Sequence, residues 1–223
     1  MYDLDETIRQ RRSVRGFLPK PVPREVIEEL LALAQHAPSN CNVQPWRVYI
    51  ASGEMREKLR AALVEAMLGG SSSGAMASVD DFRGGYRDKQ VACAVELYGK
   101  MGIERGDKAG RLKAMLRNFE FFDAPHVAYI CMDKSFGIGV ALDVGIYVQT
   151  LMLAMQSRGI GSCAQAALRA YPDLVAAQLG IPDDQQILCG LSFGYEDATV
   201  PANQTRQPRD PISNNVVFVG DAD

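Results

Sequence analysis

The stretch that most constrains this chain is FGIGVALDVGIYVQTLMLAM, Phe136 to Met155. It is long enough to raise the question of a membrane span, which needs about 20 apolar residues. Asp143 and Gln149 interrupt it, and its basic flanks do not follow the pattern of a spanning segment, so a spanning segment is not expected. A helix that is apolar nearly all round in a soluble protein is either fully buried at the centre of the fold or lies at a subunit interface. The rest of the chain is therefore expected to pack around this helix. Asp143 within it requires a partner, because an unpaired buried carboxylate is costly.

Composition limits what surrounds that helix. The 223 residues suffice for one large domain or two small ones, and for a substantial core. Hydrophobic residues make up 47% and charged residues 23%, as in ordinary soluble proteins. A net charge of −3 argues against a protein built to hold nucleic acid. The five cysteines (Cys41, Cys93, Cys131, Cys163, Cys189) are scattered and form no CxxC pair. With no signal peptide in view, the expectation is a reduced, cytoplasmic protein without a zinc site. Only two histidines are present, His36 and His126, which limits both metal and triad chemistry.

Local patterns alternate between helix and strand. DLDETIRQRR reads as an opening helix capped by Asp3 or Asp5. RRSVRGFLPKPVP reads as extended, and PREVIEELLALAQHA has apolar residues at helical spacing up to Pro38. WRVYIAS is a strand by its β-branched and aromatic residues, and EMREKLRAALVEAML is an amphipathic helix. GGSSSGAMAS has the most flexible composition in the chain. It opens a charged, glycine-spotted excursion over about 69–118, read as mobile with one or two helices. PHVAYICMD and QILCGLSFGY read as strands, YPDLVAAQLG as a helix and NNVVFVG as a short closing strand. The class is mixed α and β.

Three motifs are candidates for chemistry. GLSFG, Gly190 to Gly194, matches a nucleophile elbow around Ser192, but that fold needs its histidine after the serine and both histidines precede it. The alternative is a core strand whose glycines allow close packing. GIGSCA, Gly159 to Ala164, fits a dinucleotide fingerprint, but the fingerprint requires a preceding strand and here a helix precedes it. A small-residue loop that lets a flat ligand approach is the remaining expectation. RQRRSVR places Arg11, Ser13 and Arg15 on one face if the chain is extended there, with Arg12 nearby. Such a cluster matches a phosphate, because guanidinium forks fit its oxygens and do not titrate. A solvated basic turn is the plain alternative. Arg206 and Arg209, in NQTRQPRDP, are placed to close on the same anion.

The segment APSNCNVQPW, Ala37 to Trp46, carries far more hydrogen-bonding groups than a turn requires. Taken with RRSVRGF, RGIGSC and TRQPRDPI, in that order and spacing, it resembles the flavin-dependent nitroreductase family along nearly the whole chain. LYGKMGIERGD and RNFEFFDAPHVA resemble the branch of nitrobenzene- and nitrobenzoate-type reductases. The resemblance implies one domain, residues 1–223, of α+β class: a sandwich with a mostly antiparallel central sheet flanked by helices, forming an intertwined homodimer. It implies two FMN molecules at the interface, each touched by both subunits, and no catalytic side chain, since FMN carries the chemistry. Arg11, Arg12, Ser13 and Arg15, joined by Arg206 or Arg209, would hold the phosphate and flavin edge. Pro38, Ser39, Asn40 and Asn42 would reach the flavin of the other subunit. Cys163, Ala164, Gln165 and Ala166 would lie along the isoalloxazine ring, and VVFV would add to the partner's sheet.

NADH or NADPH is then the expected electron donor, leaving a hydride on flavin N5 for a nitroaromatic or quinone acceptor. Within the same fold, reductive dehalogenation, enone reduction or flavin cleavage is an alternative, as is a non-catalytic FMN-binding module. Phe82, Tyr86, Tyr98, Phe119, Phe121 and Phe122 are candidates to line or cover the acceptor slot, with at least two rings of FEFF expected in the core. Arg83 and Arg87 are read as surface charges. Trp46 is expected to anchor its strand in the core.

Overall fold

Side-chain alternation fixes the centre of the molecule. In HVAYICMD, Val127, Tyr129 and Cys131 point to one side of the strand while Ala128, Ile130 and Met132 point to the other, and all six are buried. A strand apolar on both faces must be sandwiched. The computed structural model of the chain describes residues 3–70 and 82–220, so most of GGSSSGAMAS lies outside the described residues. The elements are α1 (Leu4–Gln10), α2 (Arg24–Ala34), β1 (Arg47–Ser52), α3 (Gly53–Leu68), α4 (Gly85–Lys100), α5 (Lys108–Phe119), β2 (His126–Asp133), α6 (Ile138–Ser157), β3 (Gly161–Gln165), α7 (Pro172–Leu179) and β4 (Gln185–Gly194).

The four strands form one sheet in the order β1-β2-β4-β3, with every neighbouring pair antiparallel. Tyr49 stands opposite Tyr129, and a bulge interrupts the β2–β4 register between Ile130 and Cys131. Helices α2 and α6 cover one face through Ile27, Leu30, Tyr147 and Leu151. Helices α3 and α7 cover the other, with the end of α5, through Leu59, Leu63, Val175 and Phe119. This is the expected α+β sandwich. Asp3 caps α1, accepting from the Glu6 N–H at 2.8 Å. Trp46 is buried, stacks on Tyr147 with centroids 4.7 Å apart, and donates its Nε1–H to Gln35 Oε1 at 2.9 Å. Its anchoring role is as expected. Phe119, Phe121 and Phe122 are all core residues.

Three expectations need correction or completion. The apolar helix is not enclosed within this chain: the sheet can cover only one side of it. Asp143, Val144, Tyr147, Val148, Leu151 and Met155 face inward, whereas Ile138 is 92% and Leu142 67% exposed. The small-residue run after it is a strand, β3, and not a loop. Pairing with β4, from Gly161 opposite Gly194 to Gln165 opposite Gly190, overrides its weak β propensity. NNVVFVG forms no strand here. A 3-10 turn spans Ile212–Asn214, and Val217, Phe218 and Val219 are left 74–95% exposed, because no edge of this chain's own sheet receives them.

His126, at the start of β2, is buried with both ring nitrogens engaged. Nε2 accepts the Val22 N–H at 2.9 Å, which leaves Nδ1–H to donate to Ser52 Oγ at 2.6 Å. Burial holds its pKa below the ordinary 6.5. The folded state therefore favours the neutral ring. Its stabilisation is fully present above the unfolded pKa and is lost as the pH falls from there through the lower folded value. Urea unfolding should show stability declining from about pH 7 to pH 5, by at most about 1.4 kcal/mol per pH unit from this group. The slope should shrink in His126→Gln; an unchanged slope would assign the acid sensitivity to other groups.

Candidate functional site

After α1 the chain runs extended against β3. Ser13 bridges Ser162 in parallel, and the Val14 N–H donates to the Ser162 carbonyl at 3.0 Å. Val14 is buried, so the flanking side chains turn to the opposite side. Arg11, Ser13 and Arg15 all act on one group, the buried Cys163 thiol. Burial pushes that thiol up, while Arg15, a hydrogen bond with Ser13 and Arg11 pull it down. Arg209 joins from the far end of the chain: burial, then the Arg209 charge, holds Arg11 below its ordinary value. Among the described residues neither Arg11 nor Arg209 has an ion-pair partner. Arg12 points elsewhere and pairs with Glu196, both half-buried. Arg206 folds back on the carbonyls of Asn203 and Thr205, at 2.8 and 2.9 Å, and Arg209 likewise on those of Gln207 and Pro208, at 3.0 and 3.2 Å, but only Arg209 bears on Arg11. The structure thus gathers Arg11, Ser13, Arg15, Cys163 and Arg209 and leaves Arg12 and Arg206 outside.

Asn203 holds this arrangement, and nothing in its local sequence marks it. It is buried, its Oδ1 accepts the Arg15 N–H at 2.6 Å, and its Nδ2 donates to the carbonyls of Gly16 and Asp197, both at 2.8 Å. Close by, Thr205 Oγ1 and Gln207 Nε2 are buried without a hydrogen-bond partner. Such atoms are rare and call for a ligand or water.

Strand β3 offers a flat ledge next to the cluster. Cys163 and Gln165 are buried, whereas Ala164 and Ala166 are exposed. Gln165 is fixed at both ends, accepting from Ser192 Oγ at 2.5 Å and donating to the Asn118 carbonyl at 3.0 Å. Ser192 is fully buried in mid-strand and cannot act as an exposed nucleophile. The flanking glycines allow close packing: a Cβ on Gly190 would meet Leu168 at 2.3 Å, and one on Gly194 would meet Pro125 at 2.6 Å.

Beyond the ledge, a cavity of about 400 Å³ opens between α4, α5 and the turn at Pro201. Arg15, Tyr98, Met115 and Phe122 are among its lining residues. Tyr98 and Phe122 are therefore the two aromatic candidates that reach it; Phe82 and Tyr86 are exposed, and Phe119 and Phe121 are packed inside.

The loop from Pro38 to Gln44 lies mostly exposed, and among the described residues no hydrogen bond joins it to the arginine cluster. It carries three non-glycine residues in the left-handed region, Cys41 (φ 49°), Asn42 (φ 56°) and Gln44 (φ 47°). Each costs about 1 kcal/mol or more unless the surroundings hold it. Turn bonds within the loop help, and two others anchor it: the Gln44 N–H donates to Ser39 Oγ at 3.0 Å, and the Asn40 N–H donates to Asp143 Oδ2 at 3.0 Å. The second supplies the partner that Asp143 required.

The cluster can hold an anion, and the ledge a planar group, but neither offers an acid–base pair. A model of the Nitroreductase family matches residues 8–195. The chain is 36% identical over 218 residues to a 4-nitrobenzoate reductase of Pseudomonas putida, covering 98% of this chain and 96% of that protein. It is 39% identical over 221 residues to nitroreductase NfnB of Mycolicibacterium smegmatis, covering 96% and 92%. The crystal structure of the FMN-dependent nitroreductase NfnB from Mycobacterium smegmatis, in complex with NADPH, matches with a TM-score of 0.93 at 38% identity over 97% of each chain. The FMN and NADPH-dependent nitroreductase NfnB from Sphigopyxis sp. strain HMH matches with a TM-score of 0.92 at 29% identity, over 98% of this chain and 100% of that one. The chain belongs to the Nitroreductase family.

Proposed function

We propose that this protein is an FMN-dependent oxidoreductase that draws reducing equivalents from NADH or NADPH and delivers them to nitroaromatic or quinone acceptors, as a homodimer with the flavin at the subunit interface. The observation that carries the reading is the pairing of Arg11 with Arg209 without a carboxylate. Like charges brought near each other, with Arg11 half-buried and Arg209 exposed, are unfavourable unless an anion joins them. The residues fit FMN in three respects: guanidinium groups for the phosphate, the orphaned Thr205 Oγ1 and Gln207 Nε2 for further polar atoms, and a ledge of alanines for the ring.

When bound, FMN supplies the two-electron chemistry that no side chain of this site can perform. The protein's part is binding and orientation. Arg11, Ser13 and Arg209 hold the phosphate, Arg15 reaches the flavin edge, and Cys163, Ala164, Gln165 and Ala166 form the platform. The Ser192–Gln165–Asn118 chain keeps that platform rigid. Arg12 acts indirectly, its pair with Glu196 fixing the segment that carries its neighbours. Pro38, Ser39, Asn40 and Asn42 serve the partner's flavin, which fits a loop that makes no bond to its own cluster. The exposed Ile138, Leu142 and Val216–Val219 supply apolar surface for the second subunit. The cavity at Tyr98 selects the acceptor. Five free cysteines suit a reducing, cytoplasmic setting.

Purified protein should be yellow, release FMN on denaturation and bleach with NADPH or NADH in an anaerobic cuvette. A nitroarene or quinone, and not a halophenol, should then restore the colour. A colourless protein that cannot be reconstituted with FMN overturns the proposal, and binding without bleaching reduces it to a flavin-binding module.

Arg11→Met and Arg209→Met should each raise the FMN Kd about ten- to a hundredfold, the loss of a charge-assisted hydrogen bond worth about 1.5–3 kcal/mol. Arg206→Met should change it by less than about threefold. Equal effects at 206 and 209, read by fluorescence titration of flavin-free protein, would remove Arg209 from its assigned place.

A further inference from the structure

Asp143 is the only buried carboxylate among the described residues. It sits on the inward face of α6, in the second turn of the most apolar helix among the described residues. A well-packed apolar residue there would serve stability at least as well, since desolvating a charge offsets much of what its bonds return. Its one hydrogen bond goes to the backbone of another element, the Asn40 N–H at 3.0 Å. One turn further along α6, Tyr147 stacks on Trp46 with rings inclined by 19°. The same face of α6 therefore grips the Ala37–Trp46 segment twice, at its apex through Asp143 and at its exit through Tyr147. Between those points lie the left-handed Cys41, Asn42 and Gln44, a conformation the sequence does not favour by itself.

We propose that Asp143 is a positioning residue for the flavin site: its carboxylate holds the Ser39–Gln44 loop, through the Asn40 amide, in the shape that meets the partner subunit's flavin. This rests on the cofactor reading above. The opposite face of α6 carries Leu142 and Ile146, exposed in this chain, and Leu142 is assigned to the subunit contact. One helix thereby ties loop shape to dimer formation, so that the loop is preorganised where the second flavin is bound.

The test compares Asp143→Leu and Asp143→Asn with Val148→Ala, a control that removes packing from the same buried face of α6. Backbone hydrogen exchange at Asn40 to Gln44 is measured on flavin-free protein, together with FMN Kd, the visible spectrum of bound flavin and the melting temperature. Asp143→Leu should speed exchange in that segment, shift the flavin spectrum and raise the FMN Kd about tenfold. It should melt no lower than Val148→Ala. Asp143→Asn, which keeps an oxygen acceptor, should fall between Asp143→Leu and the wild type, and it carries the comparison if the leucine variant does not fold. Val148→Ala should lower the melting temperature and leave Kd and exchange unchanged. Unaltered exchange at Asn40, or a wild-type FMN Kd in both Asp143 variants, overturns the proposal. Wild-type protein that takes up no FMN, while Asp143→Leu still loosens the loop, overturns instead the cofactor reading on which the flavin role rests.

Discussion

The apolar circumference of α6 is the constraint on which the rest of the structure depends. A sheet can cover one side of a helix only, and α6 uses that side fully, from Val144 to Met155. The residues left outside, Ile138, Leu142 and Ile146, are as apolar as those inside. Burying each large aliphatic side chain is worth about 1.5–3 kcal/mol, so leaving the row in water forgoes a large fraction of a typical domain's net stability. The tail repeats the pattern: Val217, Phe218 and Val219 stand exposed without a strand to join. Both apolar surfaces fit the second subunit proposed above, and α6 also carries the grip on the Asn40 loop.

The charged cluster follows from strand geometry rather than from the basic run as such. RQRRSVR places four arginines close in sequence, at 9, 11, 12 and 15, yet they do not act as one group. Once Val14 is committed to the core, alternation sends Arg11, Ser13 and Arg15 toward Cys163 and sends Arg12 toward Glu196. Asn203 then makes the arrangement rigid by saturating its side-chain amide on three backbone groups of two segments. A buried amide with its partners met on both sides fixes geometry better than an exposed ion pair, which loses most of its strength to solvent.

Elements with strong internal periodicity were legible in the sequence. β2 and β4, α2, α3 and α7 appear where their patterns place them, because the same side chains that set the pattern also set the burial. The failures share a cause: they depend on a partner distant in sequence. GSCAQ has no β-branched residue and becomes a strand only because β4 and Ser13 flank it. VVFV has the right residues and no strand to pair with. The requirement that Asp143 be paired was readable, but its partner is a backbone amide more than 100 positions away. Asn203 could not be found at all, since an asparagine in a proline-rich turn reads as turn chemistry. The same limit applied to the two late arginines: both fold onto local carbonyls, and only the nearness of the Arg209 charge to Arg11 separates them.

Anchoring is uneven between the β3 ledge and the element that borders the cavity. The platform is tied into the sheet through Gln165 and Ser192, whereas α4 has no buried residue. Its ion pair to the arginine-bearing segment, Lys89 with Asp210, is largely solvent-exposed and contributes about 1 kcal/mol or less. What holds α4 in place is the apolar wall it shares with α5 and the Pro201 turn, the same wall that lines the cavity. An occupant of that cavity therefore replaces part of the contact that seats the helix. Elements with few buried contacts open at low cost, so acceptor shape can be accommodated by α4 without disturbing Arg11, Arg209 or the ledge. Under the proposed function, the rigid part is the cofactor site, built from long-range polar bonds, and the selective part is apolar surface.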